Sequence, residues 1–307
     1  MKPDLSIIIC AHNPRRAYLD KVLAALLSQT LPLEQWELLL VDNQSDKVLS
    51  EEIDLSWHPL ARHVREDQLG LTVARLRGIQ EAQAETLVFV DDDNVLDADY
   101  LEVALHISKD YPFIGSWGGQ IRPEFETPPP DWTRAYWDLL ALRQFDRDRW
   151  SNDFYGNPAL PCGAGLCVRE CVARKYAGVT RKESKRLQLG RKGSSFSSCE
   201  DSDLALTACD IGLGAGSFIN LKLTHLLPAH RLQEDYLLKL VEGIARSSTI
   251  LRFLREGTLP AQKSRSEKLF EAYRLMRISK RDLRFHQARA RGIATALEQI
   301  RTLETTR

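Results

Sequence analysis

Over its first third the chain alternates short apolar runs with helical periodicity. Leu5 to Cys10 is a continuous apolar run of strand length, closed by Asn13-Pro14. Ala17 to Gln29 then carries Leu19, Val22, Leu23, Leu26 and Leu27 at helical spacing. Trp36 to Val41 is a second apolar strand, ending at Asp42-Asn43. Gln68-Leu69-Gly70 turns the chain into a helix predicted from Leu71 to about Ala84, and Thr86 to Val90 reads as a third strand. Strands alternating with helices predict βαβ units and a parallel sheet. Each strand ends in polar residues, and polar strand ends along one sheet edge would build a single site.

The pattern is less regular from Phe113 to Cys199. Ile114 to Ile121 reads as a glycine-broken strand, and Thr127-Pro128-Pro129-Pro130 as extended polyproline. Pro161 to Val168, with Gly163 and Gly165, is another glycine-bearing strand. Lys182 to Ser198 is rich in Lys, Arg, Gly and Ser and reads as a mobile loop. Asp201 to Asp210 is predicted as a short helix and Leu221 to Leu227 as a strand. From Glu234 onward the pattern is helical to the end. Gly212-x-Gly214-x-Gly216 follows a helix rather than a strand, so it is not a dinucleotide loop.

A chain of 307 residues suits one large α/β domain or two smaller ones. Its charge is balanced overall but unevenly placed. Residues 261–307 hold 12 Lys/Arg against 5 Asp/Glu, a net of +7, whereas residues 1–230 are net −8. An acidic body with a basic tail points to an anionic surface for the tail, or to packing on the body or on a second subunit. The six cysteines lack paired metal-ligand spacing, so reduced thiols and a cytoplasmic protein are expected. The first residues leave no room for a signal peptide, and no stretch approaches the apolar length of a membrane span.

The chemistry concentrates where Leu87-Val88-Phe89-Val90 runs into Asp91-Asp92-Asp93-Asn94. Adjacent carboxylates at the carboxyl end of a buried strand repel one another. A divalent cation, a cationic ligand or generous solvation must offset that repulsion. The stretch therefore reads as a metal site that holds a diphosphate; the alternative is a solvated acidic turn, with Asp97 or Asp99 near a helix cap. Asp91 and Asp93 share one side of an extended chain, so one can reach a ribose and the other a metal, while Asp92 points away. Asp93 is the first choice of metal ligand. Asp42 can accept hydrogen bonds from a base or ribose, or cap the next segment as a turn aspartate. The Arg75 guanidinium suits phosphate, the alternative being a surface cation paired to Glu85 or a neighbour. His225 could join the metal or be a satisfied strand-end histidine. Trp117 and Trp132 could stack on an acceptor sugar or pack in the core. Arg181 to Lys192 could close over phosphates or be a plain solvated loop.

These strand ends, in this order, resemble those of the family 2 glycosyltransferases, which have the GT-A fold, over about residues 4–230. Leu5-Ser6-Ile7-Ile8-Ile9 followed by Asn13 looks like the family's first strand and loop. Val41-Asp42-Asn43-Gln44-Ser45 resembles V-D-D/N-x-S, and Gly70 to Gly78 resembles G-x-x-x-A-R-N-x-G, with Leu76 in place of the usual Asn. Val90-Asp91-Asp92-Asp93 looks like the DXD signature. Cys199-Glu200-Asp201-Ser202-Asp203-Leu204 looks like the E-D motif that carries the catalytic base, and Leu223 to Pro228 is similar to a late strand of many members.

The resemblance implies an α/β GT-A domain over residues 1–230, with a nucleotide-sugar half (1–110) and an acceptor half (111–230), and a C-terminal helical extension over 231–307. It implies a metal-dependent inverting transfer from a nucleotide-diphosphate sugar to a glycan or lipid-linked glycan hydroxyl. Asp201 would be the general base. Ala11, Asn13, Asp42, Gly70, Arg75, Asp91 and Asp92 would hold the donor, and Asp93 and His225 would hold Mn2+ or Mg2+. No nucleic acid is expected as a partner. Peripheral membrane contact or a homodimer would run through the basic C-terminal helices. The rival classes are a sugar-phosphate nucleotidyltransferase and a non-catalytic nucleotide-sugar binder. The first favours a glycine-rich phosphate loop after the first strand, where this chain has Ala11-His12-Asn13-Pro14.

Overall fold

The computed structural model describes residues 2–154, 156–259 and 264–304. Lys263 and residues 305–307 of the basic C-terminal segment lie outside them. The strands are β1 (Leu5–Ala11), β2 (Trp36–Asn43), β3 (Ala61–Glu66), β4 (Thr86–Val90), β5 (Asn94–Leu96), β6 (Ile114–Phe125), β7 (Arg149–Ser151), β8 (Leu166–Arg169) and β9 (Gly214–Leu227). The helices are α1 (Arg16–Leu27), α2 (Leu49–Glu52), α3 (Leu71–Glu81), α4 (Tyr100–Asp110), α5 (Glu170–Lys182), α6 (Glu200–Asp210), α7 (Glu234–Glu256), α8 (Arg265–Leu275) and α9 (Lys280–Glu304). Two compact units result. One comprises residues 1–193 and 200–229, the other residues 194–199 and 230–307.

In the larger unit the strands form one sheet in the order β3-β2-β1-β4-β8-β6-β9-β5, with β7 on β9. The first four are parallel. Strand β8 runs against both β4 and β6, and β5 runs against β9. Every residue of β1 except Cys10, and every residue of β2, is buried, as helix-covered parallel strands require. Close packing of α3 on β1 depends on Gly78, where a Cβ would lie 2.5 Å from Ile8 Cγ2. The chain leaves β1 for β2 and β3 on one side and then crosses to β4 on the other. The carboxyl ends of β1 and β4 therefore flank the reversal of strand order, where open α/β sheets bind ligands.

Several elements differ from the sequence expectation. Strand β3 carried no apolar run because it is an edge strand with only Val64 buried. Strand β8 begins at Leu166 rather than Pro161, because the preceding stretch turns, with Gly165 at φ +68°. Strand β9 begins at Gly214, so Gly214 and Gly216 belong to a strand. Trp117 is fully buried in β6 and serves the core. The segment from Lys182 to Ser198 is anchored over its first half. Arg186 is buried and donates to Asp203 Oδ2 at 2.6 Å, and the Arg191 carbonyl accepts from the Leu71 N–H at 2.9 Å. The stretch from Arg186 to Arg191 is thus tied to α3 and α6, while Arg181, Lys182, Arg191 and Lys192 stay exposed.

In the smaller unit α9 lies along α7. It buries Phe285, Ala288, Ala296 and Ile300. Ion pairs from Arg284 to Glu234 (2.6 Å) and from Arg291 to Glu242 (2.9 Å) flank that seam. Residues 194–199 lie on α7, with the Ser198 N–H donating to Ser247 Oγ at 3.1 Å.

Candidate active site

The loops after β1 and β2 are laced together by side chains. The Asn13 N–H donates to Ser45 Oγ (3.0 Å), and Asn13 Oδ1 accepts from the Asp46 N–H (2.9 Å). Asn43 Oδ1 accepts from the Gly70 N–H at 2.8 Å, which holds the start of α3 against the end of β2. Gly70 stands at φ +144°, outside the range of most L-residues. Ala11 is buried in register with Asp42.

Asp42 is the turn aspartate the sequence allowed. Its carboxylate accepts from the Ser45 N–H (2.9 Å), the Leu49 N–H (3.0 Å) and Arg65 Nη1 (2.6 Å). Burial pushes its pKa up, but these hydrogen bonds outweigh burial and hold it below the usual carboxylate range.

Arg75 departs most from a surface reading. It is buried, and Glu85 faces Lys2 instead. Its Nη1 donates to Glu200 Oε1 at 2.9 Å and its Nη2 to Asp91 Oδ1 at 3.2 Å. One guanidinium thus joins the end of β4 to the start of α6. Burial works against the Arg75 charge, yet Glu200 and Asp91 outweigh it and its pKa is raised. Burial pushes Glu200 up to about 7 despite the neighbouring guanidinium, and raises Asp91 too. It also pushes the Cys10 thiol to about 12, which rules out a thiolate nucleophile there.

Asp201 follows Glu200 in the first turn of α6. Its Oδ2 accepts from the Gly163 N–H at 2.7 Å and its Oδ1 from the Ser202 N–H at 2.8 Å. Two backbone donors hold the carboxylate in one orientation, and each oxygen keeps acceptor capacity.

Asp91 and Asp92 are half-buried in the turn after β4, and Asp93 is buried. His225, on β9, pairs in register with Asn94 of β5. Its Nδ1 lies 3.0 Å from the Leu140 carbonyl, so Nδ1 carries the hydrogen, and Nε2 lies 3.4 Å from Asp93 Oδ2. A ring nitrogen tied to a carbonyl is how metal-binding histidines are oriented. Among the described residues no group of three or more His, Cys, Asp or Glu is placed to hold a metal ion. Two protein donors suit a cation whose shell is completed by substrate phosphate and water.

The Glycosyl transferase family 2 model matches residues 6–173. The chain belongs to that family. This family 2 chain is 32% identical over 94 residues to the Glycosyltransferase AglE of Haloferax volcanii, which is 30% of this chain and 31% of that protein. It is 33% identical over 104 residues to Polypeptide N-acetylgalactosaminyltransferase 8 of Drosophila melanogaster, 33% of this chain and 18% of that protein. The match thus spans less than a third of each relative's length. The crystal structure of S. aureus TarS 1-349 superposes with a TM-score of 0.52 at 13% identity, covering 99% of this chain and 92% of that one. That likeness shows the GT-A fold.

The family match includes Asp42, Arg75 and Asp91 to Asp93 but ends before Asp201 and His225. Sequence reading of this family 2 chain missed Gly163, Arg65 and the bridging role of Glu200. A glycine two residues after Pro161 was the only signal for the first. Nothing in the sequence points to a partnership between Arg75 and Glu200, 125 positions apart.

Proposed function

We propose that the chain is an inverting glycosyltransferase that moves a sugar from a nucleotide-diphosphate donor to a hydroxyl acceptor with the aid of Mn2+ or Mg2+. The observation that carries this reading is the Arg75 bridge. It holds the DXD turn and the helix bearing Asp201 on one guanidinium, so a donor carboxylate cluster and a candidate base lie at one sheet end. Residues 1–110 supply the donor side, where Ala11, Asn13, Gly70, Asp91 and Asp92 surround the reversal of strand order, and residues 111–230 supply the acceptor side. Asp42 shapes this pocket through its turn and through Arg65. Asp93 and His225 would hold the cation, which when bound neutralises charge on the leaving diphosphate.

Asp201 takes the proton from the acceptor hydroxyl as that oxygen bonds to the anomeric carbon. The bond from that carbon to the diphosphate oxygen breaks, and the nucleoside diphosphate leaves on the opposite face. Arg75 orients Asp91 and Glu200, and the N–H groups that its terminal nitrogens do not spend on those carboxylates would serve the donor phosphates. The acceptor class is a glycan or lipid-linked glycan of surface-glycan assembly.

The test is thermal stabilisation by a panel of nucleoside diphosphates with and without Mn2+, followed by release of nucleoside diphosphate from the best donor in the presence of a hydroxyl acceptor. Stabilisation without acceptor-dependent release would mark a non-catalytic binder.

A further inference from the structure

The smaller unit exposes an apolar surface that the proposed chemistry does not use. Leu269, Phe270, Tyr273 and Met276 on and just after α8 are 73%, 70%, 50% and 78% exposed. At about 100° per residue they fall within an arc of about 120°. Contiguous exposed apolar side chains of this size mark an interaction surface.

The charges around that arc are ordered. Arg265 and Arg274 lie on its two flanks, with Glu267 beside Arg274, whereas Glu271 lies on the opposite side of the helix. The opposite side is turned to α9, where Glu271 Oε1 is 3.1 Å from His286 Nε2. That contact directs the apolar arc away from α9. The Arg277 guanidinium caps the Tyr273 ring at 4.7 Å, at the border of apolar and basic surface. From Arg265 to Arg281 there are 6 Lys/Arg against 2 Asp/Glu, a net of +4.

We propose that α8 docks on an anionic lipid surface, with its apolar arc in the headgroup boundary and its flanking arginines on lipid phosphates. A helix with large apolar side chains on one face and basic residues at its borders is the form that lies in a membrane interface. Charge decides against a second copy as the occupant. A two-fold contact would set Arg265, Arg274 and Arg277, all exposed, against the same three arginines of the other copy. An anionic leaflet attracts each of those charges. No helix among the described residues is long and apolar enough to cross a membrane, so the contact is peripheral. The proposal stands apart from the glycosyltransferase reading, because none of its residues is assigned to donor, metal or acceptor.

The experiment is co-sedimentation of the full chain with phosphatidylcholine vesicles and with vesicles containing about 30% phosphatidylglycerol. Binding to the anionic vesicles should be at least about tenfold tighter. Phe270→Glu with Met276→Glu should weaken it about tenfold or more with the melting temperature unchanged, since both side chains are exposed. Arg265→Gln with Arg274→Gln should reduce the preference for anionic lipid. Equal binding to both vesicle types, or none to either, would overturn the proposal. So would a dimer in sedimentation velocity that Phe270→Glu converts to monomer without any vesicle binding.

Discussion

The backbone N–H of Gly163 donates to Oδ2 of Asp201 at 2.7 Å, so the candidate base is aimed by a residue that has no side chain. The space is fully used. A Cβ on Gly163 would lie 2.9 Å from Arg75 Nη2 and 3.2 Å from Asp201 Oδ2. The loop before β8, the Asp201 carboxylate and the guanidinium that ties down the turn at Asp91 are therefore packed at one point.

Gly163→Ala must displace either the Asp201 carboxylate or the Arg75 fork. Those distances demand a shift of a few tenths of an ångström, which at a reacting group costs on the order of tenfold in rate. The expected outcome is a fall in kcat of that size, with little change in donor affinity by calorimetry. An unchanged kcat would separate Gly163 from the base.

Asp201→Asn removes the proton acceptor and keeps the shape. Transfer should fall by about 10²–10⁴-fold, the usual contribution of a general base, while nucleotide-induced thermal stabilisation persists. Retention of transfer would take Asp201 out of the mechanism.

Arg75→Met leaves Glu200 buried without its cation. Losing one partner of a buried pair costs about 3–5 kcal/mol, far above the 0–1 kcal/mol of a surface pair. Half-buried Asp91 contributes less than Glu200 because solvent screens it. Arg75→Lys restores the charge but not the fork that reaches two carboxylates, and should recover only part of the loss. Urea denaturation measures both.

Glu200 gives stability a pH dependence of definite sign. Its carboxyl titrates at about 7 when folded, against 4.5 for the free side chain. Between those values the folded chain holds a proton that the unfolded chain has lost. The contribution is complete below the lower value and is lost as pH rises through the upper one. Glu200→Gln keeps the neutral form throughout. The stability of the variant relative to wild type should therefore rise by on the order of 1–3 kcal/mol between about pH 5 and pH 8 in urea melts. Asp42 shifts in the opposite direction and titrates below this window.

Asp93→Asn and His225→Ala each remove one of the two side chains that face each other at 3.4 Å. Either should reduce the Mn2+-dependent part of nucleotide stabilisation about tenfold or more in apparent affinity. A chelator should abolish that part in wild type. Full nucleotide binding in chelator would remove the metal role from both residues.

The apolar runs of the sequence determined β1, β2 and β4, because strands covered on both faces must be continuously apolar. The acidic first turn of α6 and the turn of Asp91 to Asp93 were legible for a similar reason, since clustered carboxylates have few uses in a folded chain. Strand β3 left little trace, because an edge strand buries only part of one face. Tertiary structure alone decided that Arg75 is a buried bridge rather than a surface cation, that Asp42 holds its own turn and Arg65, and that the Gly163 N–H meets Asp201. Periodicity reports which side of an element is buried. It does not report which two groups, brought together from opposite ends of a chain, will satisfy each other once water is excluded.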